Sequence, residues 1–360
     1  VNPNSKFENN DHVYAGYISL SKQYSKTGIK AGLRAESFAF EGVIPSLNKK
    51  FDYNYPIQLF PSLFISHKLS DKSDVQLSYS RRVNRPGFWQ NVPFADSTDR
   101  FNITKGNPGL VPEFSSNFEV GFMKRFKNNH SLLANVYYKY TDNLISGFFE
   151  DDGKGTLINT YINANSSYAT GVELTSQLYL TKNFDANLNF NIYNSKIVLD
   201  NLGENVIQPD ALWSWFSKLN TNIKFLKGYN LQLIGQYQSK SNLASESGES
   251  RRGGGGGGMG RGGFGGPPSS NAQGFIKAFG SLDIAIRKQF MKNKYTVVFG
   301  VNDVFKSRYS RVYSENIFFN QSIERINNPR LFRLNLTYAF GKADTLLFKR
   351  KSKGAEEAPE

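Results

Sequence analysis

The 360-residue sequence contains no cysteine. That excludes a disulfide framework and any thiolate-ligated metal site, and it is compatible with an oxidising compartment without establishing one. Histidine is scarce too: His12, His67 and His130 are the three present. No apolar run approaches 18 residues, so no helix is expected to span a membrane, although a β-barrel, whose signal per strand is weak, stays open. No GxSxG or HExxH pattern occurs, and no glycine-rich stretch is completed by GK[ST]. Apolar residues are 39% of the chain, low for a globular domain. The chain opens Val1-Asn-Pro-Asn without a methionine or a leader, so it is expected to be a processed product or a fragment.

What the sequence has in quantity is aromatic residues, 30 Phe and 19 Tyr, set among Asn, Ser, Gly and Lys. They fall at a period of two. Near the end of the chain Phe332, Leu334, Leu336, Tyr338 and Phe340 alternate with Arg333, Asn335, Thr337 and Ala339. That spacing describes an extended strand with one face in an apolar medium and the other in a polar one. The pattern recurs in 184–193, where Phe184, Ala186, Leu188, Phe190 and Ile192 alternate with polar neighbours, and again in 117–125, 230–238 and 281–287. Runs of about ten residues are long enough to cross a bilayer when tilted.

Short polar connections at 24–28, 70–73, 127–130, 181–183, 227–228 and 291–294 alternate with longer stretches at about 42–56, 85–112, 148–158, 201–210, 244–272 and 307–325. Outer-membrane barrels have this asymmetry, with short periplasmic turns and longer extracellular loops. The expected fold is therefore all-β: an antiparallel transmembrane β-barrel over 1–340, with about thirteen strands and long extracellular loops expected to be irregular. An odd count that begins outside does not make a whole bacterial barrel, which has an even number, so these strands are expected to be part of a larger one. Residues 341–360 lose the strand period and are expected to form a basic, polar periplasmic tail. The net charge of +14 is spread over strand ends, turns and tail, which suits solvated rims better than a nucleic-acid groove.

Several motifs carry a family resemblance. Tyr79-Ser-Arg-Arg-Val-Asn-Arg-Pro-Gly-Phe-Trp-Gln90, followed by Gly106-Asn-Pro-Gly-Leu-Val-Pro-Glu113, resembles the C-terminal β-barrel portion of TonB-dependent outer-membrane receptors, in particular the outer membrane β-barrel family abundant in Bacteroidota. Ala169-Thr-Gly-Val-Glu-Leu174, Gly300-Val-Asn-Asp-Val-Phe305 and Arg333-Leu-Asn-Leu-Thr-Tyr-Ala-Phe340 resemble its mid-barrel, penultimate and terminal strands. The resemblance implies a bacterial cell outer-membrane location and a barrel of about 22 strands. It implies outer-membrane lipid and the barrel assembly machinery as partners, with Phe332, Leu334, Leu336, Tyr338 and Phe340 as the assembly signal. It also implies uptake of a ligand at the cell surface (a metal chelate, a glycan or a peptide), driven by TonB through an N-terminal region and plug that these residues do not contain. The alternatives are a passive pore or structural barrel subunit, a surface enzyme carried by a barrel, and a soluble all-β binding protein.

Candidate sites are few. Phe88, Trp89 and Phe94 lie in the proline-punctuated stretch 85–112 and could stack on a ligand, or could pin the loop to its neighbours. Trp213 and Trp215 suit an interfacial girdle. The glycine-rich segment 251–268, within 244–272, superficially resembles RNA-binding tracts. Flanked by barrel-type strands, it is expected to be a mobile extracellular loop, and no nucleic-acid partner is expected. The three histidines fall at opposite ends of the expected barrel, which argues against an enzyme. Asp151 and Asp152 could hold a cation weakly, but a solvated acidic turn suits them better. No catalytic residue, metal or cofactor is expected.

Overall fold

The computed structural model describes residues 6–95, 102–151, 156–200, 209–242, 274–291, 294–315, 320–326 and 330–340. The glycine-rich segment 244–272, the tail 341–360 and Asp152 lie outside them.

The strands, in chain order, are β1 (Glu8–Gln23), β2 (Thr27–Ile44), β3 (Lys49–Ser70), β4 (Ser73–Asn84), β5 (Asn102–Thr104), β6 (Glu113–Arg125), β7 (Ser131–Asp151), β8 (Leu157–Thr181) and β9 (Phe184–Val198). They continue as β10 (Leu212–Leu226), β11 (Tyr229–Gln238), β12 (Gly274–Ile276), β13 (Phe279–Phe290), β14 (Tyr295–Asn302), β15 (Tyr309–Glu315), β16 (Asn320–Ile326) and β17 (Leu331–Tyr338). Thirteen of them form one antiparallel meander in the order β1-β2-β3-β4-β6-β7-β8-β9-β10-β11-β13-β14-β17, so each hairpin partner is its neighbour in sequence apart from the short strands. This matches the expected count. The sheet is open among the described residues, with β1 and β17 as its ends.

Residues directly opposite each other in antiparallel strands point to the same face, so the register defines cross-strand rows. One row runs Ile29, Ile65, Leu77, Val120, Val136, Val172, Ile192, Trp215 across β2, β3, β4, β6, β7, β8, β9 and β10 without a polar interruption. A second runs Ile223, Leu231, Ile286, Phe299, Leu334 from β10 to β17. Much of this face is exposed, Leu336 to 72%. In water such a surface would far exceed the apolar patch a soluble monomer leaves uncovered; in hydrocarbon it is the outer wall of a barrel. The opposite face carries polar side chains that bond one another: Thr175 to Asn189 at 2.8 Å, Asn222 to Asp185 at 2.9 Å, Tyr137 to Asn191 at 3.1 Å. That is a wet inner wall.

Crossing a bilayer takes about 9–11 tilted residues. β7 has 21 and β8 has 25, so both project well beyond it. Here three sequence expectations are corrected. The stretches 42–56, 148–158 and 307–325, expected as irregular loops, are largely strand. β2 and β3 continue their ladder to Ile44 and Lys49 around the single turn Pro45–Leu47; β7 and β8 pair out to Asp151 and Leu157; β15 and β16 form a hairpin joined by β12. The cause is pairwise burial outside the membrane. Phe38 stacks on Tyr55 with centroids 4.9 Å apart and Phe40 on Tyr53 at 5.3 Å, with Phe60 and Phe114 completing a small core. Ile162, Ala164, Ile197 and Leu199 form a second. Pro56 sits where the β2–β3 register shifts between Glu36 and Phe38, at a bulge, where a residue without an N–H is tolerated.

Candidate functional site: the extracellular loops

The loop between β4 and β6 is held down by side-chain amides. Its entry forms one helical turn, α1 (Phe88–Asn91), whose start is capped by the Gly87 N–H donating to Gln90 Oε1 at 2.7 Å. Its exit folds back on α1. Gly106 N–H donates to the Val92 carbonyl at 2.9 Å and Asn107 N–H to the Gln90 carbonyl at 2.6 Å. A Cβ on Gly106 would lie 2.4 Å from that Val92 oxygen, so only glycine fits. Asn107 closes an Asx turn over Pro108, its Oδ1 accepting from Gly109 N–H at 2.9 Å, while its Nδ2 donates to the Tyr161 carbonyl of β8 at 2.9 Å. Asn163 of β8 binds Val111 through both N–H and carbonyl, and Leu110 is fully buried. Glu113 ends the loop by accepting from Asn84 Nδ2 and from Ile145 N–H, both at 2.8 Å. The short strand β5 adds parallel pairing with β8.

This latch determines what the loop presents. Phe88 and Trp89 pack on each other edge-to-face at 5.2 Å and are otherwise outward, 52% and 78% exposed. Phe94 is half-buried. The three do not share one surface in the same way: the first two are displayed, the third is partly covered.

Beside this loop is a charged centre that sequence reasoning missed. Glu36 is buried. Its Oε1 accepts from Arg34 Nε and its Oε2 from Arg85 Nη2. Arg85 lies over the Phe38 ring at 4.4 Å, and Arg81 over Phe114 at 5.5 Å. Two guanidinium groups thus meet one buried carboxylate, and its charge is paired on both oxygens. Burial, with Asp11 nearby, pushes the Tyr53 hydroxyl up to about 12. Arg85 Nε is buried without a hydrogen-bond partner among the described residues. The signal for this centre was an acid in the same alternating register as Phe38 and Phe40, with four arginines in 81–85 and at 34; the pairing across 49 positions was not visible.

A second polar lock shapes the end of β14. Asp303, in a left-handed conformation with φ 48°, accepts from the N–H groups of Ser307 and Arg308 at 2.9 and 3.0 Å. Asp283 accepts from Asp303 N–H at 2.7 Å and from Arg308 Nη2 at 2.8 Å. The motif Gly300–Phe305 is therefore built for a turn. Trp213 and Trp215 lie on the apolar face of β10, consistent with a girdle. The histidines stay apart: His67 Nδ1 meets Thr27 Oγ1 at 2.8 Å, His130 Nδ1 accepts from Tyr179 N–H at 3.0 Å, and His12 lies on β1. Among the described residues no three His, Asp or Glu side chains gather as a metal site.

An unbroken apolar outer wall, a polar inner wall and strand-built projections at one end describe an outer-membrane barrel. The profile of the outer membrane protein beta-barrel family matches residues 1–252 and 262–338. The chain belongs to this family. As a member of the outer membrane protein beta-barrel family, it lies in the outer membrane with its long connections outside and its short turns in the periplasm.

Among solved structures this family member is similar to the ferric yersiniabactin uptake receptor FyuA from Yersinia pestis, with 17% identity and TM-score 0.61, covering 94% of this chain and 47% of that one. The siderophore receptor PiuA from Acinetobacter baumannii gives 15%, 0.60, 92% and 44%. The FrpB iron transporter from Neisseria meningitidis gives 16%, 0.56, 93% and 46%. At these identities the likeness is one of fold, and the chain spans about half the length of each. No curated protein matches it by sequence.

Proposed function

We propose that this chain is the wall of a cell-surface receptor that takes up a ligand through the outer membrane, coupled to TonB in the complete protein. The observation that carries the reading is the latched loop. Phe88 and Trp89 are held outward at the extracellular end by bonds that stop short of covering them, and exposed aromatic faces are how such a surface engages a ligand. A metal chelate is favoured over a glycan or a peptide, because the fold neighbours include receptors named for ferric yersiniabactin and siderophores. Phe94, half-buried in the same loop, is the third candidate contact. The open ends of the sheet suit closure by further strands into a barrel of about 22, with a plug in the polar lumen. Phe332, Leu334, Leu336, Tyr338 and Phe340 act as the signal read by the barrel assembly machinery. The segment 244–272 belongs to the extracellular side and 341–360 to the periplasm.

The test is uptake of labelled ferric siderophores by iron-starved cells carrying the complete protein. Replacing Phe88 and Trp89 by alanine should lower uptake about tenfold or more with normal barrel levels, stacking being worth roughly 0.5–1.5 kcal/mol per ring. Dissipating the proton gradient should abolish it. Uptake that persists without the gradient would instead identify a passive pore.

A further inference from the structure

At the periplasmic end three strands finish in the same way. Lys22 stands opposite Ile29 on the apolar face of β1, and its Nζ lies 5.2 Å from the centre of the Tyr24 ring just beyond the strand. Lys124 shares the face of Phe118, Val120 and Phe122 on β6, opposite Leu132, and its Nζ lies 5.3 Å from the Phe126 ring. Lys288 shares the face of Ile284 and Ile286 on β13, opposite Tyr229, with its Nζ 3.6 Å from the Tyr229 ring and 5.5 Å from Phe290. Each ammonium is therefore on the lipid side, at the last step of the apolar wall, seated on a ring.

A lysine at a membrane rim ordinarily snorkels into water on a free stem. These three are held. Lys288 is fixed further by donating to the Lys227 carbonyl at 2.9 Å, which leaves two of its three donors for another acceptor. The connections around them are mostly basic. Each of the six short connections contains a lysine (Lys26, Lys72, Lys127, Lys182, Lys227, Lys294), against the single acid Asp71. Lys224 and Arg287, one row away on the inward face, add positive charge at the same end of the sheet.

We infer that these Lys–aromatic pairs form a collar of binding sites for anionic glycerophospholipids of the inner leaflet, the phosphodiester resting on the ammonium and the glycerol end of the acyl chains against the ring. A head group carrying its own ammonium competes with the lysine, so net-negative lipids are selected over zwitterionic ones. The Lys288–Tyr229 site is the strongest, because its ammonium is the most closely held.

The test is native mass spectrometry of the complete protein in mild detergent, titrated with phosphatidylglycerol and with phosphatidylcholine of the same chains. The wild type should retain phosphatidylglycerol at least about fivefold better, as about one charge near a lipid surface supplies. K22Q/K124Q/K288Q should remove that preference and leave phosphatidylcholine unchanged, while K49Q/K50Q at the opposite end should not. Equal retention of both lipids by the wild type overturns the inference. So does unchanged selectivity in the triple variant, or displacement of the lipid by inorganic phosphate alone, which would mean a free-anion site. Should the triple variant fail to assemble, K288Q measured in the same way decides: a selectivity equal to wild type overturns it.

Discussion

Asn163 and Val111 exchange two hydrogen bonds, the Val111 N–H donating to Asn163 Oδ1 and Asn163 Nδ2 to the Val111 carbonyl, each at 2.9 Å. A side-chain amide thus imitates a strand partner for Val111. The same Nδ2 donates to the Asn143 carbonyl at 2.8 Å, where Asn143 is left-handed with φ 51°. One residue of β8 therefore ties the loop before β6 to the bend in β7. Asn163→Ala removes this partner from three backbone groups and should cost about 1–3 kcal/mol locally. The expected outcome is faster amide exchange over 102–112 with the exchange of β9–β11 unchanged. Uniform loosening of the sheet would show that Asn163 acts on the barrel as a whole.

Gly106→Ala tests the other half of the latch. The new methyl would meet backbone oxygens of Val92 and Gln90 at 2.4 and 2.8 Å, and neither is a flexible side-chain end. The loop must open, so α1 should lose its anchor and proteolytic nicking between residues 85 and 112 should rise several-fold. Gly109→Ala is the control: its nearest neighbour is the Asn107 amide oxygen at 3.1 Å, and the loop should stay protected.

The wall and the latch differ in how far the sequence reveals them. Phe332, Leu334 and Leu336 announce their face because a period of two is local, and the same reasoning gives the thirteen-strand meander. The projections beyond the membrane follow the same period, yet Pro45 and Pro56 interrupt it where loops are usual, and burial there depends on which strand lies opposite. Phe38 is buried because Tyr55 and Phe114 meet it. Asn163 and Glu36 are the extreme case. Each is joined to one partner about fifty positions away, at 52 and 49 residues, and no pattern in 360 letters marks a lone Asn or Glu as the one that bridges.

Glu36 is the acid that pairs two arginines inside the wall. It stands opposite Ala15 of β1 and Gln58 of β3 and is buried. Glu36→Gln leaves Arg34 and Arg85 without their charged partner, and the protein should unfold more easily at neutral pH, by about 1–3 kcal/mol. A thermal midpoint equal to that of the wild type at pH 7 would mean that the two pairs contribute nothing to stability.

The last strand allows the two faces to be compared at adjacent positions. Leu336 stands opposite Val297 on the apolar side, and Asn335 opposite Val298 on the lumenal side. An arginine on the lipid face costs up to roughly 2–4 kcal/mol at mid-bilayer and less toward the rim, while one facing a wet lumen costs little. Leu336→Arg should sharply reduce the heat-modifiable, folded band on gels of outer-membrane fractions, and Asn335→Arg should leave most of it. The neighbouring Arg333 is already tolerated on the lumenal face, opposite Gly300, which is why the second substitution should be mild. Equal losses would mean that both faces of β17 meet apolar surroundings, and the division of the sheet into a lipid wall and a polar lumen would have to be abandoned at its C-terminal end.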